Sequence, residues 1–241
     1  MALIDNLVSY WKLDEASGTR YDSHGSNDLS DNNTVTSATG KVGTAAEFND
    51  SNLEYLSCTS NTSLQTGDID FTIAAWVYRV AGGQGYDDHV YVSKDSASNR
   101  EFVLASSEYY GANYTFFQYG ANVATISGLT VNTWHFLVGW YDSLANLLYV
   151  QLDDGTPASV SASGFTVGSA DFRIGARAYS GAEGYCKGKI DEVGFWKRVL
   201  TSGERTQLYN GGSGLAYPFS SGSKGGLFLP RRSYFWKRRV A

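Results

Sequence analysis

The spacing of the carboxylates restricts the chemistry that this chain could perform. Retaining glycoside hydrolysis needs two carboxyl groups roughly 5 to 5.5 Å apart, a distance that alternate residues on one face of a strand can supply. Asp68-Ile69-Asp70 is the nearest pattern, but Ile73 stands where a following acid would be needed. Asp87-Asp88 and Asp153-Asp154 are adjacent pairs, typical of turns, whose side chains would diverge on a strand. We therefore predict a protein that is not an enzyme.

The remaining reactive side chains form no recognised catalytic or metal-binding motif. His24, His89 and His135 lack ligand spacing, and neither a nucleophile elbow nor a phosphate-binding loop is present. Cys58 and Cys186 make no metal motif. These two cysteines either form one bridge between neighbouring strands or remain two free thiols, and the sequence leaves both alternatives open.

Oxygen-bearing side chains are concentrated in the first long loop, residues 21–40. A calcium ion takes six to eight oxygen ligands, and Asp22, Asn27 and Asp28 could contribute some of them. We therefore expect a structural Ca²⁺ here, with the alternative that these side chains cap turns and need no ion.

Tyrosines are concentrated between residues 86 and 119, where six of them occur. Exposed tyrosines offer a large contact area at low entropic cost. We predict that a loop or hairpin tip contacts glycans through Tyr109, Tyr110, Asn113 and Tyr114. The alternative is that these rings pack between strands or against another subunit.

Charge is distributed unevenly along the 241 residues. Residues 1–220 carry 13 Lys and Arg against 24 Asp and Glu, a net charge of −11, whereas residues 221–241 carry six basic groups and no acid. We expect the tail to bind other structural subunits of an oligomer or larger assembly, and plain disorder is the alternative. Nucleic acid is not expected as a partner, because the basic charges are few and the body is acidic. The predicted assembly residues are Arg231, Arg232, Phe235, Trp236, Lys237 and Arg238.

Composition and hydropathy exclude several protein classes. Twenty-seven glycines, three prolines and 15% aromatic residues argue against disorder, collagen and coiled coil. No apolar stretch is long enough for a membrane helix. The first residues lack the pattern of a signal peptide, so we do not expect export of the chain as written.

Apolar and polar residues alternate with period two along most of the chain, which predicts about a dozen short strands. Residues 71–80 carry apolar side chains on both faces, as expected of a central strand, and Asp154-Gly155 predicts a hairpin turn in which glycine takes the positive φ. Thr201-Ser202-Gly203-Glu204 forms a capping box, and Gly211-Gly212 ends the helix that it starts. We predict an all-β fold, a two-sheet antiparallel jelly-roll sandwich with one short C-terminal helix. The predicted domain covers residues 1–219, followed by a Ser/Gly linker and a basic, aromatic tail over residues 220–241.

Four segments, taken in order, resemble the laminin-G-like (concanavalin A-like lectin/glucanase) domains. They are LVSYWKLDEASGTRYDSHGSNDL, GDIDFTIAAWVYR, NTWHFLVGWYDSLANLLYVQLDDG, and FRIGARA followed by GKIDEVGFWKRVLTSGERTQLYNGG. The resemblance covers residues 5–217 and implies a curved jelly roll that binds glycans or protein ligands, often with a structural Ca²⁺. Asp191 is similar to the aspartate that binds this ion in relatives, whereas the Glu-x-Asp-x-x-Glu signature of the laminarinase-like enzymes is incomplete here.

We therefore expect a non-enzymatic structural or binding protein. The missing export signal and the habit of the family predict a virion component, a capsid decoration or tail fibre subunit that displays a glycan- or protein-binding surface. The alternatives are an extracellular, cell-surface carbohydrate-binding or adhesion module, and a glycoside hydrolase.

Overall fold

Two antiparallel β-sheets pack face to face in the computed structural model, which describes residues 1–82, 88–96, 99–107, 114–178 and 184–219. Fifteen strands occur within these residues. They are β1 (Leu7–Trp11), β2 (Ser30–Asn32), β3 (Thr36–Thr39), β4 (Thr44–Phe48), β5 (Tyr55–Cys58), β6 (Phe71–Arg79), β7 (Asp88–Ser96), β8 (Asn99–Ser107), β9 (Tyr114–Tyr119), β10 (Asn122–Ser127), β11 (Trp134–Asp142), β12 (Leu147–Leu152), β13 (Ala158–Ser161), β14 (Phe172–Ile174) and β15 (Gly188–Trp196).

The strand order is that of a jelly-roll sandwich. The first sheet runs β13-β12-β11-β6-β15-β4-β3, with β1 paired to β15, and the second runs β10-β9-β8-β7-β14-β5-β2. Several neighbours, such as β6 with β15 and β7 with β14, are distant in sequence, so long-range pairing closes the fold. The predicted fold class is confirmed.

Strand β6 lies at the centre of the first sheet and is buried on both faces. Its inner side chains, Phe71 and Ile73 among them, pack into the apolar core between the sheets. Its outer side chains, including Trp76, belong to a second apolar cluster on the far face of the first sheet. This arrangement explains why the sequence of the strand is apolar on both sides.

A short helix, α1 (Ser202–Tyr209), contributes to the cover of this outer face. The predicted capping box is present, since Thr201 accepts from the backbone N–H of Glu204 and the Glu204 carboxylate accepts from the backbone N–H of Thr201. The helix ends at Asn210, which has a left-handed conformation. Within the described ranges no helix is long and apolar enough to cross a membrane.

Both cysteines are free thiols. Cys186 is fully buried, and burial raises the pKa of its thiol. Of the two alternatives left by the sequence, the structure therefore shows the unbridged one.

The predicted hairpin joins β12 to β13, but the positive φ falls on Asp153 (53°) and not on Gly155. The Asp153 carboxylate accepts from the backbone N–H of Phe136 at 2.9 Å and contacts His135 Nδ1 at 3.0 Å. These contacts hold the left-handed conformation, which aspartate tolerates better than most residues. The location of the turn was predicted correctly and the residue that makes it was not.

Candidate functional site

The first predicted calcium ligand, Asp22, is surrounded by backbone donors. Its Oδ1 accepts hydrogen bonds from the N–H groups of Tyr10 (3.0 Å), His24 (3.0 Å) and Gly25 (2.8 Å), and its Oδ2 accepts from the N–H of Asn27 (3.0 Å). Each donor directs the positive end of its dipole at the carboxylate. A cation approaching these oxygens would meet that positive charge. The carboxylate instead fixes the backbone of the loop through these four hydrogen bonds.

Asn27 and Asp28 are engaged in the same way. The Asn27 amide donates to Ser9 Oγ at 2.7 Å, and its carbonyl oxygen accepts from Asn61 Nδ2 at 2.8 Å. Asp28 Oδ1 accepts from the backbone N–H of Asp22 at 2.8 Å. These bonds support the alternative interpretation, in which the acids and amides of this loop cap turns without an ion.

Asp191 lies on β15, opposite Trp76, and is fully buried. Its Oδ2 accepts from the backbone N–H groups of Lys41 (2.7 Å) and Val42 (2.9 Å). Its Oδ1 is buried without a hydrogen-bond partner in the described part of the chain. Burial raises the pKa of Asp191 to about 7, against the opposing effect of the backbone N–H groups of Val42, Lys41 and Glu192.

Glu192 places a second carboxyl group beside Asp191. It has a φ of 50° at a bulge between Asp191 and Gly194, is 3% exposed, and leaves Oε2 without a partner among the described residues. Burial raises the pKa of Glu192 to about 8, the Tyr10 hydroxyl opposes that shift, and the neighbouring Asp191 charge adds to it. Tyr10 itself is covered by Tyr217, whose ring stacks on it with centres 5.0 Å apart.

The hydrogen bonds of these side chains indicate which oxygens remain available to a calcium ion. Across the described residues, no group of three or more His, Cys, Asp or Glu side chains could hold a metal ion. N–H donors occupy both oxygens of Asp22, the side-chain oxygen of Asn27 and one oxygen of Asp28, so these loop residues offer few free oxygens to a cation. The unpartnered oxygens of Asp191 and Glu192 are the donors that a structural Ca²⁺ could use. The calcium ion and the residues that would bind it stay predictions.

The predicted glycan tip and the predicted assembly tail fall largely outside the described residues. Tyr109, Tyr110 and Asn113 are not described, and Tyr114 begins β9, where its backbone pairs with Ser107 of β8. All six predicted tail residues are likewise outside the described ranges: Arg231, Arg232, Phe235, Trp236, Lys237 and Arg238. Their roles stay predictions.

Asp68 and Asp70, the alternating acids considered for catalysis, hold the turn that follows β11. Asp68 Oδ1 accepts from the Tyr141 hydroxyl at 2.7 Å, and Asp70 Oδ1 accepts from the N–H and Oγ of Ser143 at 2.9 and 2.8 Å. Ile73 is buried in the core between the sheets. The carboxylates thus tie the start of β6 to the end of β11.

A surface that the sequence analysis missed crosses the outer face of the first sheet. Residues directly opposite one another in the ladder share a face, and the register aligns one residue from each of five adjacent strands. They form the cross-strand row, made of Trp134 (β11), Tyr78 (β6), Lys189 (β15), Glu47 (β4) and Thr36 (β3). Thr36 is exposed and the other four are half-buried. The second apolar cluster covers the next row along this face, which includes Trp76 and Phe136.

The cross-strand row combines aromatic rings with charges. The rings of Tyr78 and Trp134 have centres 5.6 Å apart and planes inclined by 60°. Lys189 Nζ lies 5.0 Å from the centre of the Tyr78 ring, a cation–π distance, and Glu47 is the cross-strand partner of Lys189. Apolar ring surface therefore lies next to groups that donate and accept hydrogen bonds.

A pocket of about 430 Å³ adjoins the Thr36 end of the row. Thr36 and Glu47 line it together with Asn49, Asn52 and Lys187. This volume lies within the range of small-molecule sites, roughly 300 to 1,000 Å³. The row and the pocket form one continuous candidate binding surface.

Sequence alternation alone places Tyr78 on the same strand face as Trp76, but it does not show which strands lie beside β6. The row depends on the pairing of β6 with β11 and β15, strands that start more than 50 residues further along the chain. The sequence therefore indicated the face on which Tyr78 lies, but it did not indicate the strand register that places Trp134 and Lys189 beside it.

Solved structures share this architecture at low sequence identity. The binding domain of Paraclostridial Mosquitocidal Protein 1 matches with a TM-score of 0.65 at 16% identity, over 86% of this chain and 52% of that one. Domain 4 of AbnA, an extracellular arabinanase from Geobacillus stearothermophilus, was solved in complex with arabinotriose. It matches with a TM-score of 0.62 at 16% identity, over 84% of this chain and 97% of that one. A mutant Trypanosoma rangeli sialidase displaying trans-sialidase activity matches with a TM-score of 0.65 at 14% identity, over 88% of this chain and 34% of that one.

The chain spans about half the length of the mosquitocidal protein's binding domain and about a third of the sialidase, so the likeness concerns one fold unit. No curated protein sequence matches the chain. A family profile, by contrast, matches residues 50–204, which is well over half of the 241 residues. The strand order, the two-sided central strand and this match together show that the chain belongs to the Laminin_G_3 family, Concanavalin A-like lectin/glucanases superfamily.

Proposed function

We propose that this domain is a non-enzymatic carbohydrate-binding module whose ligand lies along the cross-strand row and enters the adjoining pocket. The observation that carries the proposal is the alignment of two half-buried aromatic rings with a lysine, a glutamate and a threonine on adjacent strands. Such a surface is held by backbone pairing and needs little ordering when a ligand binds.

The chemistry of the row suits a sugar. A pyranose or furanose ring has an apolar face of C–H groups and an edge of hydroxyls. Tyr78 and Trp134 offer ring surface to the apolar face, while Lys189 and Glu47 can form charge-assisted hydrogen bonds with the hydroxyls. The pocket adds the Thr36 hydroxyl, which is exposed, and two asparagine amides.

The comparisons support this class of function by analogy of fold. The AbnA domain was solved with arabinotriose, and the mosquitocidal protein match is a binding domain. The arabinanase and sialidase matches keep a glycoside hydrolase as the alternative. Against it, Asp68 and Asp70 are both hydrogen-bonded to the turn that they support.

A glycan array tests the proposal. The full chain is compared with a Tyr78→Ala, Trp134→Ala double variant and with Tyr21→Ala, a control that removes a tyrosine 60% exposed on a different loop. We expect the double variant to lose its glycan signal, with affinity weakened by at least about tenfold, or about 1.4 kcal/mol, while the control keeps it. Thermal denaturation of all three chains checks folding.

Two results would contradict the proposal. Equal array profiles for the native chain and a folded double variant would show that the row does not bind sugar. Shortened products, detected by mass spectrometry after incubation with the bound glycans, would instead establish the hydrolase.

A further inference from the structure

The outer face of the second sheet carries a cationic and aromatic cluster that is separate from the cross-strand row. Arg173 of β14 lies with its Cζ 4.5 Å from the centre of the Tyr55 ring on β5. The Tyr55 and Tyr185 rings have centres 6.4 Å apart and planes inclined by 50°. All three side chains are half-buried. We name Arg173, Tyr55 and Tyr185 the arginine patch.

The charge of Arg173 is not neutralised within the described ranges. No carboxylate in them lies within ion-pair distance of its guanidinium, whose one hydrogen bond there is a long contact, 3.5 Å, from Nη1 to the Arg177 carbonyl oxygen. Its Nε is buried and has no hydrogen-bond partner there. An unpaired, partly buried cation is unusual where the first 220 residues carry a net charge of −11.

The polar neighbours of the arginine patch are uncharged. Ser57 stands directly opposite Arg173 in the ladder, and Asn32 stands opposite Tyr55. The Asn32 amide donates to Ser57 Oγ at 3.0 Å. A hydroxyl and an amide group therefore lie beside the arginine patch on β5 and β2, and they can bind sugar hydroxyls without competing for the positive charge.

We propose that the arginine patch is a second binding site, which takes the carboxylate of an acidic saccharide. A guanidinium is planar and matches a carboxylate with two parallel hydrogen bonds. Stacking on Tyr55 restricts the plane of the guanidinium, so less entropy is lost when the anion binds. The Tyr185 ring beside it offers a surface for the sugar that carries the carboxylate.

The test uses the full chain on an array of uronate- and sialic acid-containing glycans with their neutral counterparts. The variants are Arg173→Gln, which removes the charge, Arg173→Lys, which keeps the charge without the planar fork, and Lys12→Gln as a matched control on another surface. We expect Arg173→Gln to lose the acidic glycans by about tenfold or more, Arg173→Lys to lose part of that binding, and Lys12→Gln to retain it.

Titration of the native chain with tetragalacturonate and with its methyl ester keeps the test independent of how the variants fold. The ester removes the charge and keeps the sugar, so we expect it to bind at least about tenfold more weakly. Equal binding of acid and ester, absence of any acidic glycan from the array, or an unchanged profile for folded Arg173→Gln would overturn the proposal.

The two sites are distinguishable by their variants. Tyr78→Ala, Trp134→Ala removes the cross-strand row and is expected to leave binding by the arginine patch unchanged. Loss of acidic glycans in that double variant but not in Arg173→Gln would assign them to the cross-strand row and refute the second site.

Discussion

Two adjacent buried carboxyl groups, those of Asp191 and Glu192, both have raised pKa values. Desolvation disfavours their charged forms, the Asp191 charge further disfavours that of Glu192, and the Asp14 charge raises the pKa of both. The backbone donors of Lys41 and Val42 compensate only one oxygen of Asp191. The folded domain therefore holds protons on these groups at pH values where an unfolded chain would have released them.

In metal-free protein, this difference predicts that stability falls as pH rises from about 4 to about 8. Ordinary carboxyl pKa values lie near 4, whereas those of Asp191 and Glu192 are raised to about 7 and about 8. Between these limits the two carboxyl groups hold more protons in the folded state than in the unfolded state. Burial lowers the pKa of His89 to about 4, which offsets only part of this difference, so the free energy of unfolding decreases with pH and levels off above 8. We expect a loss of a few kcal/mol, measured by urea denaturation across this range. Asp191→Asn should flatten the curve, and an equally steep curve in that variant would contradict the assignment.

Calcium should act on the same pair if it binds there. A cation would stabilise the ionised carboxylates, so adding CaCl₂ to chelator-treated protein at pH 8 should raise Tm and reduce the pH dependence. Magnesium serves as the control, because it loses its water ligands reluctantly. If Tm is the same with calcium and with chelator, the predicted ion is absent.

Among the secondary-structure elements, β11 and β9 pack closely against each other across the two sheets. Gly139 of β11 faces the core, and a Cβ built on it would lie 2.5 Å from the ring of Phe117 on β9. Because interiors are close-packed, the ring cannot simply move aside. Glycine at this position therefore leaves the space that the Phe117 ring occupies.

Gly139→Ala is therefore expected to destabilise the domain by about 1 to 3 kcal/mol through overpacking. Phe117→Leu should relieve part of that strain, so the double variant should be more stable than the sum of the two single changes implies. Gly203→Ala is the control, since no atom lies within 4 Å of its built Cβ and alanine favours a helix. Additive effects at Gly139 and Phe117 in chemical denaturation would show that the two do not compete for space.

The cap of α1 gives a second prediction for a single element. Thr201→Ala removes the acceptor for the Glu204 N–H and is expected to cost about 1 kcal/mol in the free energy of unfolding. Gln207→Ala, at an exposed position of the same helix, should have little effect. Equal urea midpoints for Thr201→Ala and the native chain would show that the cap does not contribute to the stability of the domain.

At the scale of the whole molecule, the net charge of −11 on residues 1–220 opposes the six basic groups that follow. An acidic surface on one subunit and a basic, aromatic segment on another would attract each other. The described fold ends with Phe219, whose ring packs edge-on against Tyr10 with centres 5.1 Å apart. A chain ending at Phe219 therefore retains the contacts that close the outer face of the first sheet.

We predict that the full chain forms a defined oligomer that the chain ending at Phe219 does not form, as measured by light scattering. High salt should weaken the full-length assembly, because the attraction is electrostatic. If both chains are monomers at all protein concentrations, the tail has no role in self-assembly. The prediction of an assembly subunit would then lose support, and the cell-surface module would become the better hypothesis.

The sequence by itself determined the fold class, the central strand and the helix cap, because each follows from local alternation or short spacing. Tertiary structure alone decided which residues share a surface. Tyr78 joins Trp134 and Lys189 through strand register, and Arg173 meets Tyr55 across strands more than 100 residues apart in sequence. Hydrogen-bonding capacity likewise depends on the fold: Asp22 and Asp191 are the same residue type, yet only Asp191 keeps a buried oxygen without a partner among the described residues.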